Sequence, residues 1–344
     1  MQFAPLGSSG LVVSRIAYGN SLTHGDQVDD ETAALCLKTA LDAGVNFLDT
    51  ADAYAAGRAE EVLGRLTAGL RREDLVIATK VGRSKRPGPN EGRLSRKHVM
   101  ESINASLRRL GTDYVDLYQA HRYDAQTPLR ETMQAFADLV RAGKVLYVGV
   151  SEWPAGPIRE AAALAAELGV PLVSNQPQYS LLWRVIEEEV VPACDELGLS
   201  QVAWAPLAGG VLTGKYAPGG AAPDGTRAAS KGGAMSIGRW DYLNDIVLTA
   251  VRRLAPLAAE AGLTLPRLAL AWVLRNPSVA SAVVGASRPE QLTETLAAVD
   301  DVLGDDLVDR IEAVVEPAVR RDPRLTEDPL GPASRLTRSE EEAS

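Results

Sequence analysis

Eight times between residues 12 and 299, a short aliphatic or β-branched run is followed by a segment of helical periodicity. That order confines the chain to alternating α/β folds. The strand-like runs are Val12–Tyr18, Val45–Leu48, Leu75–Thr79, Val115–Gln119, Val145–Val150, Leu172–Asn175, Gln201–Trp204 and Ala282–Val284. They do not alternate polar with apolar, as expected of parallel strands buried on both faces. The helices carry their own punctuation. Asp29 or Asp30 caps one that ends before Gly44, and Ser95 caps one that Gly111 stops. Further helices are expected over 60–70, 128–141, 158–168, 186–197, 242–261, 266–275 and 289–299. Eight strand–helix units within about 300 residues predict a closed (β/α)8 TIM barrel. An open doubly wound sheet is the alternative, but its Gly-x-Gly-x-x-Gly after the first strand is absent. Residues 2–13 predict a β-hairpin turned at Gly7-Ser-Ser-Gly10. The barrel is expected to occupy residues 1–318, with 319–344 as a C-terminal tail of low order. Residues 217–238, rich in Gly, Ala and Pro, predict a mobile loop after the seventh strand.

Composition narrows the partners. The net charge of −9 disfavours nucleic acid or an anionic membrane as the main partner. No run of about 18 apolar residues exists, so no membrane insertion is expected. The N-terminus lacks a basic region followed by an apolar one, and a cytoplasmic location is expected. Cys36 and Cys194 fall in helix-like stretches with no metal-ligand spacing. They read as small buried apolar groups, and no metal site is expected.

In such a barrel the chemistry gathers at the C-terminal ends of the strands. The polar residues expected there are Asp49 with Tyr54, Lys80, Gln119 with His121, Ser151 with Glu152, Asn175 with Gln176, Trp204, and Gly285 with Ser287 and Arg288. Each alone reads as a rim or packing residue. Together they read differently. A lysine beside a phenol favours phenolate, and a carboxylate keeps that lysine charged. A histidine at the same rim can orient a carbonyl oxygen. Asp49, Tyr54, Lys80 and His121 thus suit the protonation of a carbonyl that is becoming an alkoxide. Such a donor requires a hydride source. Trp204 offers a flat face on which a nicotinamide can stack. Ser151, Asn175 and Gln176 can hydrogen-bond a carboxamide. The turn Gly285-Ala-Ser-Arg288, leading into a helix, suits a phosphate. The stretch Gly209-Gly-Val-Leu-Thr-Gly-Lys215 fits Gly-x4-Gly-Lys, but Tyr216 stands where a P-loop needs a hydroxyl for Mg²⁺. Lys215 and Arg227 read instead as a clamp on a pyrophosphate. A Schiff-base enzyme built on Lys80 would leave Tyr54 and Trp204 without a role.

Several motifs carry a resemblance over residues 1 to about 318. They are Leu6-Gly-Ser-Ser-Gly-Leu-Val-Val-Ser14, Asp49-Thr-Ala-Asp-Ala-Tyr54, Thr79-Lys80, Asp116-Leu-Tyr-Gln-Ala-His121, Gly149-Val-Ser151, Asn175-Gln176 and Gly214-Lys-Tyr216. In order and placement they resemble the aldo-keto reductases. Tyr18-Gly-Asn20, Thr23-His-Gly-Asp-Gln27, Gly57-Arg-Ala-Glu-Glu-Val-Leu-Gly64 and Ser151-Glu-Trp153 resemble the branch that holds potassium-channel β subunits and their bacterial relatives. The resemblance implies an NADPH-dependent oxidoreductase that reduces an aldehyde or ketone. It implies Tyr54 as proton donor, Asp49 and Lys80 as its supports, and His121 as the carbonyl's guide. It implies that Ser151, Gln176 and Trp204 hold the nicotinamide, with Glu152 also at the cofactor. Ala205, Pro206, Leu207, Ala208, Gly209, Lys215 and Arg227 would line the pyrophosphate. Gly285, Ser287, Arg288, Gln291, Glu294 and Thr295 would face the adenosine, and Asn20, Ser21 and Gln27 would lie near the cofactor.

The chain departs from the family pattern in places. Many members carry Lys near position 285 and Arg at 291, where this chain has Gly285 and Gln291. Thr295 replaces a common Asn, and Glu152 stands where the branch often has Arg. Arg288 is the cation left for a 2′-phosphate, so NADPH is expected over NADH. The alternative implied by the branch is a slow-turnover NADPH-binding subunit that reports redox state to a partner. The branch resemblance also implies homo-oligomeric assembly, which composition does not decide.

Overall fold

Parallel strands of this composition need helices over one face and inward side chains over the other, and a closed barrel supplies both. The computed structural model describes residues 1–326, apart from Leu22, Asp26, Gln27, 84–87, 230–236, 238 and 239. Two short strands, β1 (Phe3–Pro5) and β2 (Val12–Ser14), pair antiparallel. The barrel strands are β3 (Ile16–Gly19), β4 (Phe47–Asp49), β5 (Val76–Val81), β6 (Val115–Ala120), β7 (Val145–Ser151), β8 (Leu172–Gln176), β9 (Ser200–Ala203) and β10 (Val279–Val284). All eight are parallel, in sequence order, and β10 closes on β3. The predicted TIM barrel with its N-terminal hairpin is the observed fold.

Around the barrel lie α1 (Asp30–Asp42), α2 (Arg58–Thr67), α3 (Arg96–Leu110), α4 (Leu129–Arg141), α5 (Ala155–Leu168), α6 (Val190–Glu196), α7 (Asp245–Glu260), α8 (Leu265–Arg275), α9 (Pro289–Leu296) and α10 (Asp305–Val315). Their ends follow the expected chemistry. Asp29 accepts from the Thr32 amide at the start of α1, and Ser95 from the His98 amide at the start of α3. Gly111 closes α3 in the left-handed conformation. α10 was not anticipated. Its buried Val308, Ile311 and Val315 follow a helical period and pack it beside α7. No single described helix is long and apolar enough to cross a membrane.

One expected strand is two. Val12–Tyr18 breaks at Arg15, whose guanidinium donates to the carbonyls of Val279 and Leu274. The break lets β2 stay with the hairpin while β3 enters the barrel. Hydropathy cannot register it, because both halves are apolar. The hairpin then plugs the N-terminal mouth. Leu6 and Val13 are fully buried against Ala17, Phe47, Ala78, Leu117, Val173 and Val202. Gly7 makes this fit possible: its φ is +60°, and a Cβ there would lie 2.4 Å from the Val173 carbonyl. With that end closed, the C-terminal mouth is where a ligand can enter.

Beyond the barrel proper, Arg320 exchanges backbone hydrogen bonds with Leu182 and Arg184. A short 3₁₀ turn, Pro323–Thr326, follows. Residues 327–344 of the expected tail lie outside the described residues, as do several of the 217–238 loop.

Candidate active site

Backbone strain marks one face of the barrel. Seven described non-glycine residues have left-handed φ: Ala55, Ala56, Arg93, Glu152, Ala205, Ala208 and Asp241. Every one lies in a loop that follows the C-terminal end of a barrel strand. Such conformations cost roughly 1–3 kcal/mol each and gather at functional sites.

Inside that mouth four residues from three strand ends converge. Asp49 ends β4, Lys80 stands near the end of β5, and His121 follows β6. Lys80 is wholly buried, and all three of its protons are used. It donates to Asp49 Oδ2 at 2.6 Å, to the Thr50 carbonyl at 2.9 Å and to Tyr54 Oη at 3.1 Å. Burial alone would push the ammonium down. The Asp49 charge and the bonds to Asp49 and Tyr54 overcome it, so Lys80 titrates above its ordinary value and stays charged. Because an ammonium can only donate, Tyr54 Oη accepts here, and the phenol's own hydrogen is left for another acceptor. Tyr54 is half-buried, with its ring edge-to-face on His121 at a centroid distance of 5.8 Å.

The Asp49 carboxylate has further support. Its Oδ1 accepts from Gln176 Nε2 at 2.8 Å and from Gln119 Nε2 at 3.3 Å. A carboxylate accepts only, so both amides must turn nitrogen toward it. Sequence reasoning placed Gln119 at the rim without giving it a role, although it lies on β6 two residues before His121. Thr50 was also missed, since only its carbonyl takes part.

His121 is buried, and its pKa lies well below the ordinary 6.5. Burial is the main cause, and the charges of Arg122, Lys80 and Arg83 add to it. Its imidazole is therefore neutral at physiological pH and can offer a hydrogen bond without charge. The two other histidines are depressed too. His24, against Tyr18 Oη at 2.9 Å, is pushed down to about 4 by burial, and burial lowers His98. A histidine NMR titration of untagged protein should find no imidazole midpoint at or above 6.5. One found there would contradict this burial.

Farther round the mouth, Trp204 is partly exposed and follows β9. Its indole Nε1 donates to Glu152 Oε1 at 2.8 Å, and the Gln178 amide donates to the same oxygen. Glu152 thus fixes the indole plane, a role its position in sequence did not suggest. Ser151 Oγ donates to the Gln176 carbonyl at 2.8 Å. Asn175 pairs with Gln201 at 3.1 Å, and its own Oδ1 has no hydrogen-bond partner.

Residues 205–214 form a tight, strained loop after Trp204. Ala205, Ala208, Gly209 and Gly210 all have positive φ, and Pro206 and Leu207 lie between them. Side-chain cations press on the glycines. A Cβ at Gly210 would lie 2.9 Å from Lys215 Nζ, and one at Gly209 3.6 Å from Arg227 Nη1. Burial lowers the Lys215 ammonium, and repulsion from Arg227 and Arg288 lowers it further. The charges of Arg227 and Arg288 thus reach Lys215, and an anion bound among them would offset that repulsion.

Arg288 precedes α9, and Ser287 donates to Gln291 Oε1 from both its amide (3.1 Å) and its hydroxyl (3.3 Å). Gly285 has no room for a side chain, since a Cβ would lie 2.7 Å from the Gly19 carbonyl. Glu294 is partly buried on α9, and Thr295 Oγ1 donates back to the Gln291 carbonyl at 2.9 Å. On the other side, Asn20 is buried and donates to the Ala59 carbonyl at 3.2 Å, with Oδ1 unpartnered. Ser21 is exposed beside it, and Gln27 lies outside the described residues.

An eight-stranded barrel whose open mouth holds a buried Lys–Asp pair under a phenol defines a class. The chain belongs to the aldo/keto reductase family, whose family model matches residues 15–316. That membership places it among oxidoreductases. It is 43% identical over 328 residues to proteins from Oryza sativa subsp. japonica and Arabidopsis thaliana, each named "Probable voltage-gated potassium channel subunit beta". The match covers 93% of this chain and 98% of each of those proteins. A Schizosaccharomyces pombe protein with the same subunit designation is 39% identical over 322 residues, covering 91% of this chain and 93% of that protein.

Proposed function

We propose that this protein is an NADP(H)-dependent carbonyl reductase, with Tyr54 as proton donor. The observation that carries the reading is the Lys80 ammonium, held by Asp49 and donating to Tyr54 Oη at 3.1 Å. The residues present suit a nicotinamide dinucleotide. Trp204 offers a ring face braced by Glu152. Lys215, Arg227 and Arg288 supply the positive charge that a diphosphate and a 2′-phosphate require. When bound, the cofactor supplies hydride to the carbonyl carbon. Tyr54 O–H gives its proton to the carbonyl oxygen, and the product is an alcohol with oxidised nicotinamide. The phenolate left behind is held by Lys80, whose charge Asp49 maintains. Neutral His121 donates to the carbonyl oxygen and so aims it. Tyr54 is half-buried, so water can return its proton.

The test is a fluorescence titration with NADPH and NADH, followed by a panel of aldehydes, ketones and quinones. No turnover on any member of the panel would sink the reading. Arg288→Ala should weaken NADPH binding by about 10- to 100-fold and NADH binding much less, as removal of a charge-assisted phosphate contact predicts. Equal loss for both cofactors would detach Arg288 from the 2′-phosphate.

The names of the relatives motivate a second reading, a slow NADPH-binding regulatory subunit. A fast steady state on a plain aldehyde would count against it.

A further inference from the structure

The five-residue step from Asp49 to Tyr54 has a side chain whose work lies outside the acid–base set. After β4 the main chain keeps pairing with β5. The Thr50 amide donates to the Ala78 carbonyl at 2.9 Å, and the Asp52 amide to the Lys80 carbonyl at 3.4 Å. There the pairing ends. Tyr54 follows in a 3₁₀ turn, and Ala55, Ala56 and Gly57 run in succession at φ of 47°, 56° and 97°. Three left-handed residues in a row hold no shape by propensity, and two of them bear a Cβ. Something must pin the turn from outside.

Asp52 reaches that outside support. Its Oδ2 accepts from Ser102 Oγ on α3 at 2.6 Å. Ser102 is buried, and α3 is a long helix with both ends capped. Asp52 Oδ1 is screened from solvent and has no hydrogen-bond partner, although the residue as a whole is only partly buried. One residue thereby ties the strand of Lys80, through its amide, to α3, through its carboxyl, two positions before the phenol. A parallel tie holds the far end of the turn. Thr79 Oγ1 donates to buried Glu60 at 2.5 Å, and Arg109 of α3 donates to the other Glu60 oxygen at 2.6 Å. That second tie holds α2, beyond the left-handed run, whereas Asp52 is the side chain that ties the start of the Tyr54 segment to α3.

We propose that Asp52 is a positioning residue for Tyr54, and that its bond to Ser102 aims the phenol at the Lys80 ammonium. The carboxyl's surroundings give this bond a signature. Burial raises its pKa to about 7, opposed by the Ser102 bond, raised further by Glu60 on α2 and lowered by Arg109 on α3 and the Ala53 amide. Tyr118 on β6 faces the same network. An unfolded aspartate ionises near 3.8. At this carboxyl the folded chain holds a proton that the unfolded chain has lost, so its contribution to stability falls as pH rises from about 4 to 7, opposite in sign to that of the buried histidines.

The kinetic part of the test rests on the reductase reading, and the spectroscopic part does not. Asp52→Ala should lower kcat by about 10- to 100-fold, the loss expected of a misplaced reacting group, with NADPH affinity and KM unchanged. Asp52→Asn can still accept from Ser102, and should keep turnover within about threefold, while its stability relative to wild type should increase as pH rises from about 4 to 7. Ser102→Ala cuts the same bond from the α3 side and serves if Asp52→Ala does not fold. In cofactor-free protein carrying ¹³Cζ-tyrosine, the resonance lost in Tyr54→Phe identifies Tyr54. That resonance should shift or broaden in Asp52→Ala and Ser102→Ala, and match wild type in Asp52→Asn. An unmoved Tyr54 resonance overturns the proposal, as does unchanged kcat in an enzyme that turns over, or loss of NADPH affinity alongside turnover. If wild type reduces no carbonyl, the reductase reading falls and the Tyr54 resonance alone decides the role of Asp52.

Discussion

Tyr54→Phe is expected to lower carbonyl reduction by at least about 10²-fold, the scale of a positioned general acid, with NADPH affinity unchanged. The substitution removes one oxygen from a half-buried ring and leaves the edge contact with His121 in place. What it deletes is the acceptor for the third Lys80 proton and, with it, the hydrogen that the proposed reaction gives to a carbonyl. The buried ammonium keeps Asp49 Oδ2 and the Thr50 carbonyl, so the chain should remain folded. Steady-state rates beside a cofactor titration separate these effects. Turnover within tenfold of wild type would remove Tyr54 from the reaction.

The second large effect is on stability. Asp49→Ala is expected to cost about 3–5 kcal/mol, because it strands a buried ammonium without its counter-charge. Lys80 would keep only a carbonyl and a phenol, and Gln119 and Gln176 would lose the oxygen they share. A loss of that size is a large part of the 5–15 kcal/mol usual for a folded domain. Urea unfolding would register it as a lower midpoint. Asp49→Leu combined with Lys80→Met should recover most of the loss, since it removes both charges and fills the space with apolar atoms. A single variant within about 1 kcal/mol of wild type would mean that the pair is not held as described. The pH dependence has a definite sign. Lys80 titrates above the ordinary 10.5, so its stabilising interaction is complete below that value and lost only as pH rises through the higher folded one.

Much of the fold was legible because its signals are local. Ser95 and Gly111 bracket α3 in the structure as they do in the sequence, since capping needs only a hydroxyl and a left-handed residue at the right places. The split at Arg15 was not legible, because its cause is two carbonyls more than 250 residues away. Helix α6 is shorter than the expected 186–197. Its apolar residues continue into turns, where tertiary contacts take over from periodicity.

At the mouth, sequence alone determined the residue types and the strand ends that bear them. Asp49, Tyr54, Lys80 and His121 were identifiable because barrel strands project such groups from one end. Only the closed barrel decided what each atom does. It brings Gln176 to Asp49 across 127 residues, hands the Trp204 indole to Glu152, and brings the charges of Arg227 and Arg288 within reach of Lys215. It also sets Asp52 on Ser102 of α3, behind the phenol that the stretch Asp49–Tyr54 carries. Spacing along a chain fixes which face a residue takes within its own element. Which donor meets which acceptor across elements is fixed by how strands and helices close on one another, and no local pattern encodes that distance.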